Sequence, residues 1–128
     1  MFLFKKKNMY VDENGAYNPP GQHMIILNDS LNIMEKTVNP STYFSRYELA
    51  LKKASYCINE KQAVWKGMNC KQIYKMLSED KSREMLHRRF IDRLFEANKE
   101  NRMIYQMDEV GKYMSESTKI YFSERFNG

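Results

Sequence analysis

From about residue 23 onward, apolar side chains recur at the spacing of one helical face. Successive gaps of three, four and three residues separate the members of a first stripe, Met24, Leu27, Leu31 and Met34. The segment 37–40 then interrupts the pattern. Asn39 is suited to cap a second helix, and Pro40 is tolerated at a first helical position because that N–H would be unpaired anyway. The pattern predicts two helices that pair as an antiparallel hairpin.

The second helix carries the most regular stripe of the chain. Its apolar members are Phe44, Tyr47, Leu51, Ala54 and Ile58. The opposite half of the helix is polar and contains Ser45, Glu48, Lys52, Lys53, Ser55 and Asn59. Ala50 and Ala54 lie one turn apart within the apolar half, which would let a neighbouring helix approach closely. We expect the stripe to face the core and the polar half to face water.

Three further helices are predicted beyond residue 60. Residues 61–68, which hold the only Trp, read as a connection or short turn. A short helix over about 69–78 would bury Ile73, Met76 and Leu77, and a stronger helix over about 82–98 has Ser82 as its cap. Met103, Met107, Val110 and Met114 continue the helical spacing in a last helix to about Phe122, with Gly111 as its weak point.

The N-terminal segment, residues 1–22, is irregular. Asn14-Gly15 suits the two positive φ angles of a type I′ turn and favours a short β-hairpin over residues 9–17. A loop pinned by Tyr10 and Tyr17 is the alternative, because an isolated hairpin is marginally stable. The segment 19–21, Pro-Pro-Gly, is expected to stop regular structure before a single helical domain, residues 23–128. The expected fold is a mostly-α, compact bundle of about five helices.

Composition agrees with one globular domain. The chain has 128 residues, and Leu, Ile, Val and Phe supply 27 of them, a low share that ten Met and nine Tyr supplement. No apolar run approaches the ~18 residues of a membrane span. The apolar residues 1–4 precede Lys5, Lys6 and Lys7, the reverse of signal-peptide order. We therefore expect a cytoplasmic protein in which Cys57 and Cys70 are reduced thiols.

The positive charge is concentrated in one part of the chain. The net charge is +5, and residues 61–100 carry ten Lys or Arg against six Asp or Glu. The candidate anion contacts on the helix over 81–93 are Lys81, Arg88, Arg89 and Arg93. Together with the N-terminal Lys triplet they favour a nucleic-acid-binding regulator as one hypothesis. Asp92 and Glu96 lie among these arginines and would repel phosphates, so a solvated, salt-bridged face is the competing interpretation.

Candidate chemistry is sparse. The five glycines are scattered, which excludes a phosphate-cradling loop, and no nucleophile elbow is present. Cys57, Cys70, His23 and His87 are isolated in sequence, so neither a metal nor a cofactor is expected. His87 and Cys57 lie on apolar arcs, which favours a core-edge histidine held by a neighbour and a buried, inert thiol. A catalytic role would need His87 or a cysteine in a polar cleft beside two or more carboxylates.

Residues 39–51, Asn-Pro-Ser-Thr-Tyr-Phe-Ser-Arg-Tyr-Glu-Leu-Ala-Leu, resemble a segment of small uncharacterised bacterial proteins. In those proteins a helix, an Asn-Pro break and a Phe-Ser-Arg-Tyr helix start occur together. The resemblance covers about residues 25–60. It implies a bacterial or phage source and a helical hairpin, and it implies no activity.

The remaining hypothesis is function by contact. Flexible methionines suit adaptable surfaces, and the last helix adds the candidate partner residues Tyr105, Tyr113, Tyr121 and Phe122. If that helix is only half covered, these side chains would form a protein-binding or self-association surface. We therefore predict a non-catalytic interaction or regulatory module that uses the outer face of the last two helices and forms a homodimer or binds another protein. No small-molecule substrate is evident.

Overall fold

The computed structural model describes residues 20–99 and 111–127. Five α-helices lie within these ranges: α1 (Pro20–Lys36), α2 (Pro40–Tyr56), α3 (Cys70–Ser78), α4 (Asp80–Ala97) and α5 (Glu116–Asn127). Two short strands, β1 (Ala63–Trp65) and β2 (Met68–Asn69), precede α3, and a 3₁₀ turn (Gly111–Tyr113) precedes α5. The predicted mostly-α class is confirmed. The proposed hairpin over residues 9–17 lies outside the described residues.

The break between α1 and α2 forms as the sequence predicts. Asn39 Oδ1 accepts a hydrogen bond from the Thr42 backbone N–H at 3.0 Å, and Pro40 occupies the first position of α2. The three-residue break brings α1 and α2 into extensive contact. The start of α1 differs from expectation, because Pro20 and Gly21 lie inside the helix instead of ending regular structure. Proline is compatible with a first helical turn, which explains the difference.

We expect Asn39→Ala to lower the free energy of unfolding by about 1 kcal/mol, since the first turn of α2 loses its side-chain acceptor. Asn59→Ala is the matched control, because Asn59 is exposed and lies beyond the end of α2. Urea denaturation of both variants tests this expectation. Equal stabilities for the two variants would contradict it.

Residues 63–69 form a small hairpin where the sequence indicated only a connection or short turn. Strands β1 and β2 are antiparallel, with Ala63 opposite Asn69 and Trp65 opposite Met68. The turn residues Lys66 and Gly67 have φ angles of 47° and 78°, as a type I′ turn requires. The ammonium of Lys66 lies 2.8 Å from the carboxylate of Glu35, which links the hairpin to the end of α1.

The core lies where α1, α2, α3 and α4 meet. The α1 stripe is buried as predicted, and so are Phe44, Tyr47 and Ala54 on α2. Leu51 is half-buried, and Ile58 lies beyond the end of α2 and is also half-buried. Tyr43 stacks on Phe90 of α4 with ring centroids 4.0 Å apart. Helix α4 therefore closes over α2 through aromatic rings.

The last two helices differ from expectation at their starts. Helix α4 begins at Asp80, after Glu79, so Ser82 lies inside the helix and is not its cap. The prediction of one last helix running through Gly111 is wrong, because a 3₁₀ turn ends at Tyr113 and α5 starts afresh at Glu116. Ser115 Oγ accepts a hydrogen bond from the Thr118 N–H at 3.3 Å and so caps the new helix.

Candidate functional site

Arg93, one of the four candidate anion contacts, is engaged inside the fold. Its guanidinium donates hydrogen bonds to three backbone carbonyls at the end of α1. Two of them are those of Met34 at 3.0 Å and Thr37 at 2.8 Å, and the third is that of Glu35. Carbonyls in the last turn of a helix lack intrahelical partners, and a cation there is favourable. Arg93 therefore closes the end of α1 and has few donors left for a phosphate.

Arg83 makes a similar contact at the end of α3. Its Nε and Nη2 lie 3.4 Å and 3.5 Å from the carbonyl oxygens of Leu77 and Ser78. The hydroxyl of Tyr47 also donates to the Leu77 carbonyl, at 2.8 Å. Helix α4 thus places one arginine at the end of α3 and a second at the end of α1. Part of the positive charge of residues 61–100 serves to join helices within the domain.

The other three anion candidates lie on the outside of α4. Arg88 is 3.4 Å from Glu84 in an i, i+4 ion pair and stacks over the ring of Tyr121, 5.0 Å from its centroid. Lys81 and Arg89 are exposed. Within the described residues, Lys81 and Arg89 form no ion pair or hydrogen bond. Among the described residues, the outer face therefore keeps two unpaired cations. Arg88 pairs with Glu84, while Asp92, which lies among the arginines in sequence, pairs with Arg125 of α5.

The predicted aromatic partner surface is divided by the structure. Phe122 is only 3 % exposed and belongs to the core, which makes its expected place on an exposed surface wrong. Tyr121 is half-buried, and its hydroxyl donates to the carboxylate of Asp92, which Arg125 also contacts at 3.0 Å. Tyr105 lies outside the described residues, as does the side chain of Tyr113. Helix periodicity alone did not tell which side of the last helix α4 would cover.

Two large apolar side chains are exposed on α4 and α5. Met85 is 52 % exposed and Ile120 is 58 % exposed. Contacts between Glu84 and Ser117, Arg88 and Tyr121, and Asp92 and Arg125 advance together along both helices, so α4 and α5 run parallel. Neither Met85 nor Ile120 was singled out from the sequence, because each looks like an ordinary helical residue with no pattern of its own.

The expected role of His87 at the edge of the core is confirmed. The ring is buried, and its Nδ1 lies 3.0 Å from the hydroxyl of Tyr43. Burial, and after it the charge of Arg83, lower the pKa of His87 to about 4. Burial also raises the pKa of Tyr43. Both side chains are therefore neutral at pH 7 and share one hydrogen bond.

His87 also lines a polar cleft of about 500 Å³ between α2, α4 and the start of α5. Glu48, Asp80 and Glu84 line the same cleft, so the arrangement named above as a condition for catalysis is present. The protonation and hydrogen bonding of these groups are less favourable for acid–base catalysis. A histidine with a pKa near 4 is a weak base at neutral pH, and Glu84 already accepts hydrogen bonds from Arg88 and Ser117. Of the groups that line the cleft, His87 is therefore poorly suited to act as a base at pH 7.

The two cysteines, far apart in sequence, meet in the core. Both are buried free thiols, and their Sγ atoms are 3.2 Å apart. The Sγ of Cys70 is also 3.2 Å from the Sδ of Met24. Burial raises the pKa of both thiols, which keeps them protonated at pH 7. The burial of Cys57 agrees with expectation.

Lys53, expected on the polar half of α2, is instead buried and 2 % exposed. Its Nζ makes no hydrogen bond with any residue that the structure describes, and it lies 5.8 Å from the ring centroid of Tyr56. A buried cation without a hydrogen-bonding partner is costly. Lys53→Met, which keeps all but the last atom of the side-chain length, is therefore expected to raise the free energy of unfolding by about 1–3 kcal/mol.

Urea denaturation measures the effect of Lys53→Met against Lys75→Met, whose parent side chain is exposed. We expect the control to change stability by less than about 0.5 kcal/mol. A loss of stability in Lys53→Met would show that the ammonium is well paired in the native state.

Among the described residues, no group of three or more His, Cys, Asp or Glu side chains is arranged to hold a metal ion. In the same part of the chain, no helix is both long and apolar enough to cross a membrane. Comparison with protein-family models, with curated proteins and with solved structures gave no match.

Proposed function

We propose that the chain is a non-catalytic protein-interaction module that binds its partner through the outer face of α4 and α5. The observation that carries the proposal is the exposure of Met85 and Ile120, at 52 % and 58 %, on two adjacent helices. Exposed apolar side chains on neighbouring elements, rimmed by charge, are typical of protein-binding surfaces. We call the surface formed by Met85, Arg88, Ile120 and Tyr121 the α4–α5 face.

Helical periodicity supports a single continuous surface. At 100° per residue, Met85 lies about 60° from Arg88 around α4, on the side away from the buried His87. Ile120 lies about 60° from Ser117 around α5, and Ser117 contacts Glu84 of α4. The stacked pair of Arg88 and Tyr121 joins the two helices between them. An apolar side chain on each helix thus flanks a rigid arginine–tyrosine pair, and these residue types are enriched where interfaces are strongest.

The charges on α4 favour an acidic partner. Lys81 and Arg89 are exposed and unpaired within the described residues, and both lie about 40° from Met85 around the helix. A partner with carboxylates around an apolar centre would complement them. A second copy of the chain is the other protein that could occupy this face, with the acidic residues of α5 opposite the basic residues of α4.

The resemblance of residues 25–60 to bacterial proteins suggests the cytoplasm of a bacterium as the setting.

Nucleic-acid binding has less support. Arg93 is directed at the carbonyls of α1, and Arg88 is paired with Glu84. Within the described residues, Lys81 and Arg89 are then the two unpaired cations among the four candidates, and two phosphate contacts give weak binding with a shallow salt dependence. A gel-shift titration with arbitrary duplex DNA at low and moderate salt distinguishes the two hypotheses. Retardation at low salt that Arg88→Glu with Arg89→Glu abolishes would favour nucleic-acid binding over our proposal.

The test of the proposed function is a double variant, Met85→Gln with Ile120→Gln, which keeps helix-forming side chains of similar length. The control is Ile25→Gln, because Ile25 is 63 % exposed on α1, away from the α4–α5 face. Sedimentation velocity measures self-association, and a photo-crosslinking amino acid at position 120 or 25 reports a second protein in host cells. We expect the double variant to lose association and position 120, not 25, to crosslink.

Two outcomes contradict the proposal. One is a monomer at all concentrations combined with no specific crosslink from position 120. The other is equal loss of association in the double variant and in Ile25→Gln, which would place the interface elsewhere. Circular dichroism of each variant confirms that the helices are intact before either result is interpreted.

A further inference from the structure

Three sulfur atoms come together in the core below the C-terminal end of α2. Cys57 follows the last residue of α2, and Cys70 is the first residue of α3. Their Sγ atoms are 3.2 Å apart, and the Sδ of Met24 lies 3.2 Å from Cys70 on its other side. The sulfur–sulfur bond of a disulfide is about 2.0 Å long. A movement of about 1 Å would therefore bring the two cysteines to bonding distance.

We propose that Cys57 and Cys70 are a site of reversible oxidation, at which a peroxide-class oxidant forms an intramolecular disulfide. The proposal is independent of the α4–α5 face, since neither cysteine belongs to it. Two features favour a bond within one chain. The thiols are already adjacent, and both are buried, so neither can reach a thiol of another molecule without unfolding.

The reaction needs one two-electron oxidant. The sulfur of one cysteine attacks a peroxide oxygen, the O–O bond breaks, and one water leaves as that sulfur becomes a sulfenic acid. The second sulfur then attacks the sulfenic sulfur, the S–O bond breaks, and a second water leaves. Two S–H bonds are lost and one S–S bond forms, with hydrogen peroxide reduced to two molecules of water. A thiol reductant such as dithiothreitol reverses the reaction by exchange.

The burial of the two thiols determines the rate at which the disulfide forms. Burial and raised pKa values disfavour the thiolate, which is the reactive form. Oxidation of the native protein is therefore slow and proceeds through local opening between α2 and α3. Once formed, the bond would tie the end of α2 to the start of α3 and close the segment that contains the β1–β2 hairpin. The oxidised chain is consequently the more rigid and more stable form.

The experiment uses the full chain and diamide, whose N=N bond accepts the two electrons and two protons of the thiols. Diamide is selective for thiols and spares the ten methionines. After oxidation the protein is unfolded, treated with N-ethylmaleimide and weighed by mass spectrometry. We expect a monomer lighter by about 2 Da without maleimide adducts, against two adducts for the reduced chain. The midpoint of thermal unfolding should rise by about 5–10 °C and return with dithiothreitol.

A second experiment does not require the oxidant to reach the buried thiols of the folded chain. The chain is unfolded and refolded in a mixture of reduced and oxidised glutathione, so that the native fold selects the equilibrium state. We expect the disulfide in most molecules under oxidising ratios. Cys57→Ala and Cys70→Ala are the controls, and each should carry one adduct and lack the loss of 2 Da. The proposal is overturned if the refolded chain keeps both thiols, or if oxidation yields only disulfide-linked dimers.

Discussion

Replacing Arg93 with alanine is expected to lower the free energy of unfolding by about 2–4 kcal/mol. The guanidinium donates to the carbonyls of Met34, Glu35 and Thr37, so its removal leaves these three acceptors at the end of α1 without their donor. Hydrogen bonds from a charged donor contribute about 1.5–3 kcal/mol each, and the partial exposure of this site reduces their sum. Urea denaturation followed by circular dichroism measures the change.

Arg89→Ala is the matched control, because Arg89 lies one turn before Arg93 on the same helix and is exposed. Its stability should differ from the parent by less than about 0.5 kcal/mol. Arg93→Lys should recover only part of the loss, since a lysine cannot present the planar fork of donors. If Arg93→Ala is as stable as Arg89→Ala, Arg93 does not hold α1, and its guanidinium is available to an anion.

The second large effect is a loss of stability in acid that depends on His87. Its pKa is about 4 in the folded chain and 6.5 when unperturbed. Between these values the unfolded chain binds a proton that the folded chain does not, so stability falls as the pH is lowered from about 6.5 to 4. The difference corresponds to a loss of at most about 3 kcal/mol. Only at pH values well above 6.5 are both states neutral at this residue, and there it adds no further pH dependence.

His87→Gln tests this contribution, because glutamine is neutral at every pH and retains an acceptor for the Tyr43 hydroxyl. Unfolding free energies of the parent and the variant are compared at several pH values between 4 and 7. The curve of the variant should be flatter by up to about 3 kcal/mol over that interval. Parallel curves would mean that His87 titrates normally in the folded chain, and would restore it as a candidate base in the cleft.

Local signals in the sequence were sufficient to predict the buried stripe of α1 and the capped start of α2. The spacing of Met24, Leu27 and Leu31, together with the cap at Asn39, depends on residues within a few positions of each other. Such features are readable because helix periodicity and capping are short-range effects. His87 belongs to the same class, since its place on an apolar arc predicted burial and a hydrogen-bonding neighbour. The identity of that neighbour, Tyr43, required the structure.

The features that matter most for function depend on distant pairs. Arg93 meets carbonyls that lie 56–59 residues earlier in the chain, and a backbone carbonyl carries no sequence signal. Lys53 looked like a solvated residue because periodicity gives only the angle around a helix, not which neighbours cover it. Phe122 was misplaced for the same reason. Cys57 and Cys70 are separated by 13 positions and meet only because the β1–β2 hairpin returns the chain.

These long-range contacts change the interpretation of the basic helix. A cluster of arginines on α4 is the pattern of a nucleic-acid-binding helix. In this fold Arg83 and Arg93 contact helix ends, and Arg88 contacts Glu84 and Tyr121. What the outer surface retains is a small number of cations around the exposed Met85. That combination suits an acidic protein surface with apolar anchors better than a phosphate backbone.

Nuclear magnetic resonance of the chain labelled with ¹⁵N-arginine shows whether α4 holds the end of α1 through Arg93 and leaves Arg89 in solvent. A guanidinium held by several carbonyls cannot rotate freely about its Nε–Cζ bond, so its Nη protons give separate signals. We expect separate, slowly exchanging Nη signals for Arg93, which Arg93→Lys removes, and averaged signals for Arg89. Averaged signals from Arg93 that match those of Arg89 would contradict this expectation.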